Sequence, residues 1–297
     1  MEIKEFAQKV CQAVECSLGE GYNVELKEVR KNNDVLLHGL TIQAKDHNIA
    51  PTIYLEHFWR AYEEGVSFSE IIHKLMTVYG QDAPTGSVDM EFFRDFEKVK
   101  DRICYRLVGI EENRKLFEDI PYVEFLDMAV CFFYAYSGEA LGEGSILVHN
   151  SHMGMWGTGV TELMNLAVEN TPRLFPGRCY TMEEVLKELV GEEEREASFS
   201  GRIPMKVLTN DKRLHGAACM IYQGMLDSIA EEVGASLYIL PSSIHEVILL
   251  AEEEASDPEE LKEMIVQVNK TQVAPEEVLS DSLYRYDRLK KRVEKVL

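Results

Sequence analysis

The segment from Phe125 to Tyr136 constrains the fold most, because it is apolar on both of the faces that a strand would present. A strand with one face in solvent alternates apolar and polar residues, whereas a strand covered on both faces is apolar throughout. Its most apolar part, Met128 to Tyr136, is far shorter than the roughly 20 residues of a membrane-spanning helix. The segment therefore predicts a central strand, with Ser145–Asn150 as its hairpin partner across Gly138–Gly144.

The N-terminal part of the chain predicts a small unit of helix, hairpin and helices. Apolar residues at spacings of three and four predict an amphipathic helix from about Glu2 to Cys16. Alternating residues on either side of a polar turn predict a hairpin of Tyr22–Arg30 with Val35–Ala44. Ser67 begins a capping box ahead of another apolar periodic run, which predicts a further helix.

A polar stretch with proline and glycine, Gln81–Ser87, is typical of a linker. It predicts an N-terminal α+β subdomain over residues 1–85 and a larger mixed α/β domain over residues 86–297. We expect the α+β class, with a mainly antiparallel sheet flanked by helices and a smaller N-terminal helix/hairpin/helix unit.

The C-terminal third alternates strand and helix signals. Two N-terminal helix signatures stand out, a capping box that begins at Thr181 and an Asp-Pro cap at Asp257. The remaining patterns predict a loop at 191–202, a helix at Ala217–Val233, strands at Ser236–Leu240, Glu246–Leu250 and Ser282–Tyr286, and a basic terminal helix at Arg288–Val296.

The charge balance restricts the partners of this chain. It has 52 acidic against 31 basic residues, a net charge of −21. Such a balance disfavours non-specific binding to nucleic acid or to anionic lipid.

The six cysteines form no C-x-x-C pair and are expected to be buried free thiols. The charged segment Met1–Glu5 lacks the apolar core of a signal peptide, so we expect a cytoplasmic protein without membrane contact.

The segment Pro241–Glu246 concentrates two hydroxyls, an imidazole and a carboxylate between two predicted strands. A hydrolase needs a nucleophile, a base and a group that orients the base, and Ser243 or Ser242 with His245, oriented by Asp281 or Glu246, could fill these roles. Our catalytic candidates are Ser243, His245 and Asp281. The G-x-S-x-G elbow is absent from the sequence. The alternative is structural, with the serines bonding the backbone of a tight turn and His245 and Glu246 tying it to neighbouring loops.

The loop that follows the predicted strand ending at Asn210 is our candidate anion-binding segment, because it carries Lys212 and Arg213. Asn210 could polarise a substrate, and Glu246 completes the set of ligand-binding candidates. A solvated loop is the alternative.

Metal and cofactor motifs do not occur in the sequence. The eight histidines lack the H-E-x-x-H spacing, and on a strand His149 and His152 would project to opposite sides. Neither a Walker phosphate loop nor G-x-G-x-x-G is found. We therefore predict no metal and no cofactor. The alternative is a metal site formed by convergence of His152, His245 and Glu246 in the fold, since first-row metals accept such nitrogen and oxygen ligands.

Several segments carry a family resemblance, and the string Pro-Ser-Ser-Ile-His-Glu is the most specific of them. The segments are Asn150–His152, Asn170–Pro172, Val207–Asn210, Tyr238–Val247 and Val278–Asp287. Together they resemble the bacterial family called domain of unknown function 5688. The resemblance implies a bacterial source and no particular activity.

The function hypotheses therefore rest on the residues. Our leading hypothesis is an uncharacterised soluble cytoplasmic bacterial protein that acts without catalysis, as a protein-interaction or accessory protein whose acidic surface selects an unknown protein partner. One alternative is a hydrolase-type enzyme that uses the Ser/His/carboxylate cluster. A second alternative is an acidic nucleic-acid mimic, in which the run Glu192–Glu194 and similar runs imitate phosphates.

Overall fold

A computed structural model describes residues 1–83, 90–138, 142–189, 205–255 and 257–297. The predicted loop at 191–202, the run Glu192–Glu194 and most of the predicted linker lie outside these residues. The helices are α1 (Ile3–Leu18), α2 (Glu56–Glu63), α3 (Phe68–Asp82), α4 (Phe96–Val99), α5 (Asn150–Trp156), α6 (Val160–Leu174), α7 (Met182–Leu189), α8 (Met225–Val233) and α9 (Pro258–Thr271).

The strands form three sheets within the described ranges, and every pair whose register is defined is antiparallel. They are β1 (Tyr22–Arg30), β2 (Leu36–Ala44), β3 (Thr52–Tyr54), β4 (Ile103–Gly109), β5 (Tyr122–Phe125), β6 (Met128–Gly138), β7 (Gly142–Leu147), β8 (Gly177–Thr181), β9 (Met205–Asn210), β10 (Leu237–Ser243), β11 (Glu246–Ala251), β12 (Tyr284–Asp287) and β13 (Arg292–Lys295). This arrangement of antiparallel sheets with flanking helices is the predicted α+β class.

The described chain divides into two compact units by its backbone contacts. One comprises Met1–Phe92 with Tyr136–Gly144, and the other comprises Phe93–Ala135 with Ser145–Leu297. The domain boundary that we placed at residue 85 from the linker composition stays a prediction.

The first unit contains the predicted helix and hairpin. Strands β1 and β2 pair in full register from Tyr22↔Ala44 to Arg30↔Leu36, and Asn33 at the turn adopts a left-handed backbone that asparagine tolerates. The apolar stripe of α1 packs with the inner face of β2 and with α3 to form a core. The core members are Phe6, Val10, Val14, Leu40, Ile42, Leu55, Ile71 and Leu75.

The central-strand prediction is confirmed for β6, which pairs with β4, β5 and β7 and is buried from Met128 to Ala135. Its predicted start at Phe125 is wrong. Leu126 has a positive φ of 59°, and with Asp127 it forms a tight turn. That turn separates the short strand β5 from β6, and the two strands pair antiparallel.

The sheet that carries the candidate site has the strand order β13-β12-β10-β11-β9-β8. Tyr238, Leu240 and Leu250 pack on one face against Leu261 and Ile265 of α9. A 3₁₀-helix, Gly216–Ile221, packs against β9 and β11.

Two predicted C-terminal elements differ from the structure. The helix predicted at Ala217–Val233 is divided in the structure. The 3₁₀-helix ends at Ile221, where Tyr222 is extended, and α8 begins after its N-cap Gly224, which has a positive φ of 74°. The basic helix predicted at Arg288–Val296 is wrong, because β13 pairs antiparallel with β12 instead. The Asp287 carboxylate accepts hydrogen bonds from the N–H groups of Leu289 and Lys290, and these bonds fix the hairpin turn.

The helix caps match the sequence signatures. Thr181 and Glu184 form a reciprocal capping box, with Oγ1 accepting from the Glu184 N–H at 3.2 Å and the glutamate accepting from the Thr181 N–H at 2.7 Å. Asp257 accepts from the Glu259 N–H at 2.9 Å, and Ser67 caps α3. Among the described helices, none combines the length and apolar character that crossing a bilayer requires.

Candidate functional site

The candidate site begins at the turn between β10 and β11. The Ser243 hydroxyl oxygen accepts a hydrogen bond from the backbone N–H of His245 at 3.0 Å. The N–H of Ile244 donates to the carbonyl oxygen of Glu277 at 2.8 Å, which ties the turn to the loop before β12. Ser243 therefore stabilises the turn by a side-chain to backbone bond, as serine often does.

His245 connects this turn to a second loop. Its Nδ1 accepts from the backbone N–H of His215 at 3.2 Å, so the neutral ring carries its proton on Nε2. Nε2 lies 3.6 Å from Oε1 of Glu277. The His245 carbonyl oxygen accepts from the Thr209 hydroxyl at 2.8 Å.

The structure brings Ser243 and His245 together in one turn, but it does not join them as a nucleophile and a base. In the part of the chain that the structure describes, no hydrogen bond links the Ser243 hydroxyl to the His245 ring or Asp281 to either residue. Asp281 accepts instead from the Asn269 amide at 2.8 Å. The catalytic assignment of Ser243, His245 and Asp281 stays a prediction.

The predicted anion-binding loop is closed by its own contacts. Asn210 is 1% exposed, and its amide donates to the Leu214 carbonyl and accepts from the Lys212 N–H. The Lys212 ammonium lies 5.3 Å from the centre of the Phe175 ring. Asn210 therefore positions the loop.

The remaining ligand candidates lie beside this loop and in the hairpin. The Arg213 guanidinium pairs with Glu188 and lies over the Tyr180 ring, so its charge is already compensated. Glu246 lies opposite Ser243 in the strand ladder. The assignment of Asn210, Lys212, Arg213 and Glu246 to ligand binding stays a prediction.

His215 is a polar residue that the sequence reasoning did not single out. Its ring stacks on His245 at 5.8 Å with an interplanar angle of 11° and meets the edge of Phe133 at 5.4 Å. The residue is 9% exposed, and its Nδ1 is fully buried without a hydrogen-bond partner. Its pKa lies well below the ordinary histidine value, because burial disfavours the imidazolium and the charges of Arg106 and His245 act in the same direction.

Arg106, in β4, is a second polar residue that the sequence reasoning did not single out. Its Nε is fully buried without a hydrogen-bond partner, and burial lowers the pKa of its guanidinium. The signal available in the sequence was a single charged residue within the otherwise apolar strand Ile103–Val108. That signal identifies an unusual interior arginine but not its surroundings.

The structure corrects our argument about the paired histidines. His149 and His152 do not lie on a strand, because they form the first turn of α5, where the His149 N–H donates to His152 Nδ1 at 3.1 Å. The His149 ring also contacts Asp119, with Nδ1 2.7 Å from the carboxylate. Nevertheless, the described residues contain no group of three or more histidine, cysteine or acidic side chains that could hold a metal ion.

A separate groove of about 520 Å³ lies on the six-stranded sheet, next to the C-terminal end of α8. Its apolar residues are Met205, Val233, Ala235, Leu237, Leu249 and Ala251. Its charged residues are Glu183, Lys206, Glu232, Glu253 and Glu254. The groove therefore has a mixed lining, partly apolar, with an excess of negative charge.

A comparison with protein families identifies the group to which the chain is related. The profile described as "Family of unknown function (DUF5688)" matches residues 3–288. The chain belongs to this family. The resemblance found in the sequence is thereby confirmed, and both the His215–His245 stack and the groove of the DUF5688 chain lie within the matched range. Comparisons with curated proteins and with solved structures gave no significant match.

Proposed function

We propose that this DUF5688 protein is a non-catalytic interaction protein that binds a basic, partly apolar segment of a partner protein in the acidic groove beside α8. The observation that carries the proposal is the excess of glutamate around a concavity whose lining is partly apolar. Binding sites are typically concave, and their volumes of about 300–1,000 Å³ include the size of this groove.

The charges of the groove support a basic ligand. Lys206 is paired with Glu232 at 2.5 Å, so these two charges compensate each other. Glu183, Glu253 and Glu254 form no ion pair with any described residue, and the latter two are exposed. A lysine or arginine of the partner would therefore meet uncompensated carboxylates, which favours association by charge complementarity.

The contacts of the candidate catalytic residues support a structural role. The Ser243 hydroxyl and the His245 Nδ1 both accept bonds from backbone N–H groups, so they hold loops in place. All six cysteines are free, which is typical of a reducing compartment and supports our proposal of a bacterial cytoplasmic protein.

The proposal is tested by fluorescence anisotropy with a labelled nonapeptide of alternating lysine and leucine, and with a second peptide in which glutamate replaces lysine. We expect saturable binding of the basic peptide only, weakened by added salt. E253K/E254K should weaken it by about tenfold, since each exposed ion pair contributes up to about 1 kcal/mol.

The matched control carries the same change in net charge away from the groove. Glu124 in β5 and Glu169 in α6 are exposed and do not line the groove. E124K/E169K should bind the basic peptide within about twofold of wild type at physiological salt, because charges beyond a Debye length of about 8 Å are screened. An equal loss in both double variants would instead favour the diffuse charge of a nucleic-acid mimic, and absence of binding would contradict the groove proposal.

The hydrolase alternative makes a separate prediction. A nucleophilic Ser243 would react with a fluorophosphonate probe, and S243A would abolish that labelling. We expect no labelling that depends on Ser243, because its hydroxyl is not bonded to an imidazole nitrogen. Labelling that disappears in folded S243A would overturn the non-catalytic part of the proposal and leave the groove to be judged by the peptide experiment.

A further inference from the structure

The turn between β12 and β13 carries the most exposed large apolar side chain in the described ranges. Leu289 is 94% exposed, whereas the next such residue, Leu36, is 49% exposed. The neighbours of Leu289 in the turn are Arg288, Lys290 and Lys291. We call residues 288–291 the basic turn. It combines an exposed apolar side chain with three positive charges, which is the composition that the acidic groove is proposed to bind.

The basic turn keeps positive charge available for a partner. The Arg288 guanidinium donates to a backbone carbonyl of the α8 C-terminus and forms no ion pair with any described residue. The side chains of Lys290 and Lys291 are 53% and 60% exposed, although they pair with acidic residues of the hairpin and of α8. Ion pairs that are this exposed are weak, so these ammonium groups can also approach a carboxylate of another molecule.

The basic turn and the groove lie at the same end of the six-stranded sheet. In the strand register Tyr286 lies opposite Leu237, which lies opposite Ala251, and both Leu237 and Ala251 line the groove. The backbone N–H of Arg288 donates to the Ser236 hydroxyl at 3.2 Å, so the turn begins beside the groove residue Leu237. A projecting segment and a groove that are neighbours on one surface allow two copies to bind each other reciprocally about a two-fold axis.

We propose that the partner of the acidic groove is the basic turn of a second copy of this chain, in a dimer in which each copy inserts Leu289 into the groove of the other. This inference rests on the proposed function, because it names the occupant of the same groove. In the dimer Leu289 contacts the apolar part of the groove lining. Arg288 and Lys290 meet the exposed carboxylates of Glu253 and Glu254, which form no ion pair with any described residue of their own copy.

The overall charge of the chain does not prevent this contact. Two copies that each carry a net charge of −21 repel each other at long range. At physiological salt, charges separated by more than a Debye length of about 8 Å are largely screened. The opposite charges within the contact therefore act more strongly than the distant acidic residues.

Sedimentation velocity of the wild-type protein at physiological salt tests the dimer directly. Over a roughly hundredfold range of concentration we expect a monomer–dimer equilibrium, because self-association depends on protein concentration. The lysine and leucine nonapeptide should dissociate the dimer, since it competes for the groove. The peptide with glutamate in place of lysine should not.

L289S tests the apolar part of the contact. It should weaken dimerisation by at least about tenfold, because the burial of a leucine side chain is lost at both contacts. The turn itself should be retained, since the bond that residue 289 donates to Asp287 comes from its backbone N–H. L36S is the matched control, because Leu36 is the next most exposed leucine and does not line the groove. It should dimerise as the wild type does.

An exchange of charges tests the reciprocal contact. E253K/E254K makes the groove basic and R288E/K290E makes the turn acidic, so each double variant alone should be monomeric. A mixture of the two in equal amounts should restore the dimer, because both of its contacts again pair opposite charges. Circular dichroism of each variant verifies that it is folded.

Three results would overturn the inference of a dimer. They are an equal loss of dimerisation in L289S and L36S, folded double variants that stay monomeric when mixed, and a dimer that persists when the basic peptide saturates the groove. A wild-type protein that stays monomeric but binds the basic peptide would refute a second copy as the partner and leave the proposed function intact. Absence of peptide binding is instead the result that contradicts the proposed function, so the two failures are distinguishable.

Discussion

Asp127 joins the turn between β5 and β6 to the C-terminal hairpin, and its removal gives a quantitative test of the fold. Its carboxylate accepts from the Tyr284 hydroxyl at 2.6 Å, the Ser282 hydroxyl at 2.7 Å and the Lys295 ammonium at 2.9 Å. Tyr284 is fully buried, whereas the side chains of Asp127 and Lys295 are 32% and 44% exposed. The tyrosine bond should therefore contribute most.

We expect D127N to lower the free energy of unfolding by about 3 kcal/mol. A buried hydrogen bond to a charged group contributes about 1.5–3 kcal/mol, whereas a half-exposed ion pair such as that with Lys295 contributes about 0–1 kcal/mol. Y284F removes the hydroxyl and should cost about 1–2 kcal/mol. Because the two residues share one bond, the double variant should be less destabilised than the sum, by about 1–2 kcal/mol.

Urea denaturation of the wild type, the two single variants and the double variant at pH 7, followed by circular dichroism, measures the four free energies of unfolding of this double-mutant cycle. Unchanged m-values would show that all four proteins unfold from comparable states. Additivity of the two single changes within about 0.5 kcal/mol would refute our assignment of a stabilising bond between Asp127 and Tyr284.

The same residue predicts acid sensitivity. Burial raises the pKa of Asp127, but the bonds from Tyr284, Lys295 and Ser282 outweigh this and hold it below the ordinary value of 3.8. Since the folded-state pKa is the lower one, this stabilisation is present above about pH 4 and is lost as the pH falls through the folded-state value. D127N should therefore show a smaller loss of stability between pH 5 and pH 3 than wild type.

Three further predictions concern the loops and caps. Gly216→Ala should destabilise the protein by more than about 2 kcal/mol in urea titrations, because the added Cβ would collide with the His245 carbonyl oxygen. Gly154→Ala is the matched control, because a Cβ added there meets open space. That variant should be neutral or stabilising. Asp257→Ala should cost about 1 kcal/mol through loss of the α9 cap, and an unchanged melting temperature would contradict that role. The lowered pKa of His215 means that protonation favours the unfolded chain, so stability should fall below pH 6.5 by up to about 1.4 kcal/mol per pH unit. A wild-type slope equal to that of H215F would refute this last prediction.

Local patterns predicted the elements whose stability depends on neighbours in the sequence. The hairpin of the first unit, the capping box at Thr181 and the cap at Asp257 involve residues within a few positions of one another. The central strand β6 was also predictable, because only burial on both faces accommodates a continuous apolar run. The helix prediction for the terminal segment Arg288–Val296 was wrong, because the conformation of this segment depends on pairing with β12 and not on a local pattern.

In the candidate site, too, the local contacts were predictable from the sequence and the contacts between distant residues were not. The sequence alone placed Ser243 and His245 in a tight turn, where a serine side chain readily bonds the backbone two residues on. It could not show that Asp281 belongs to a different network, or that His215 stacks on His245 from 30 residues away. Only the tertiary structure decided that Arg106 lies in the interior without a carboxylate, because the absence of a partner depends on every strand and loop that folds around it.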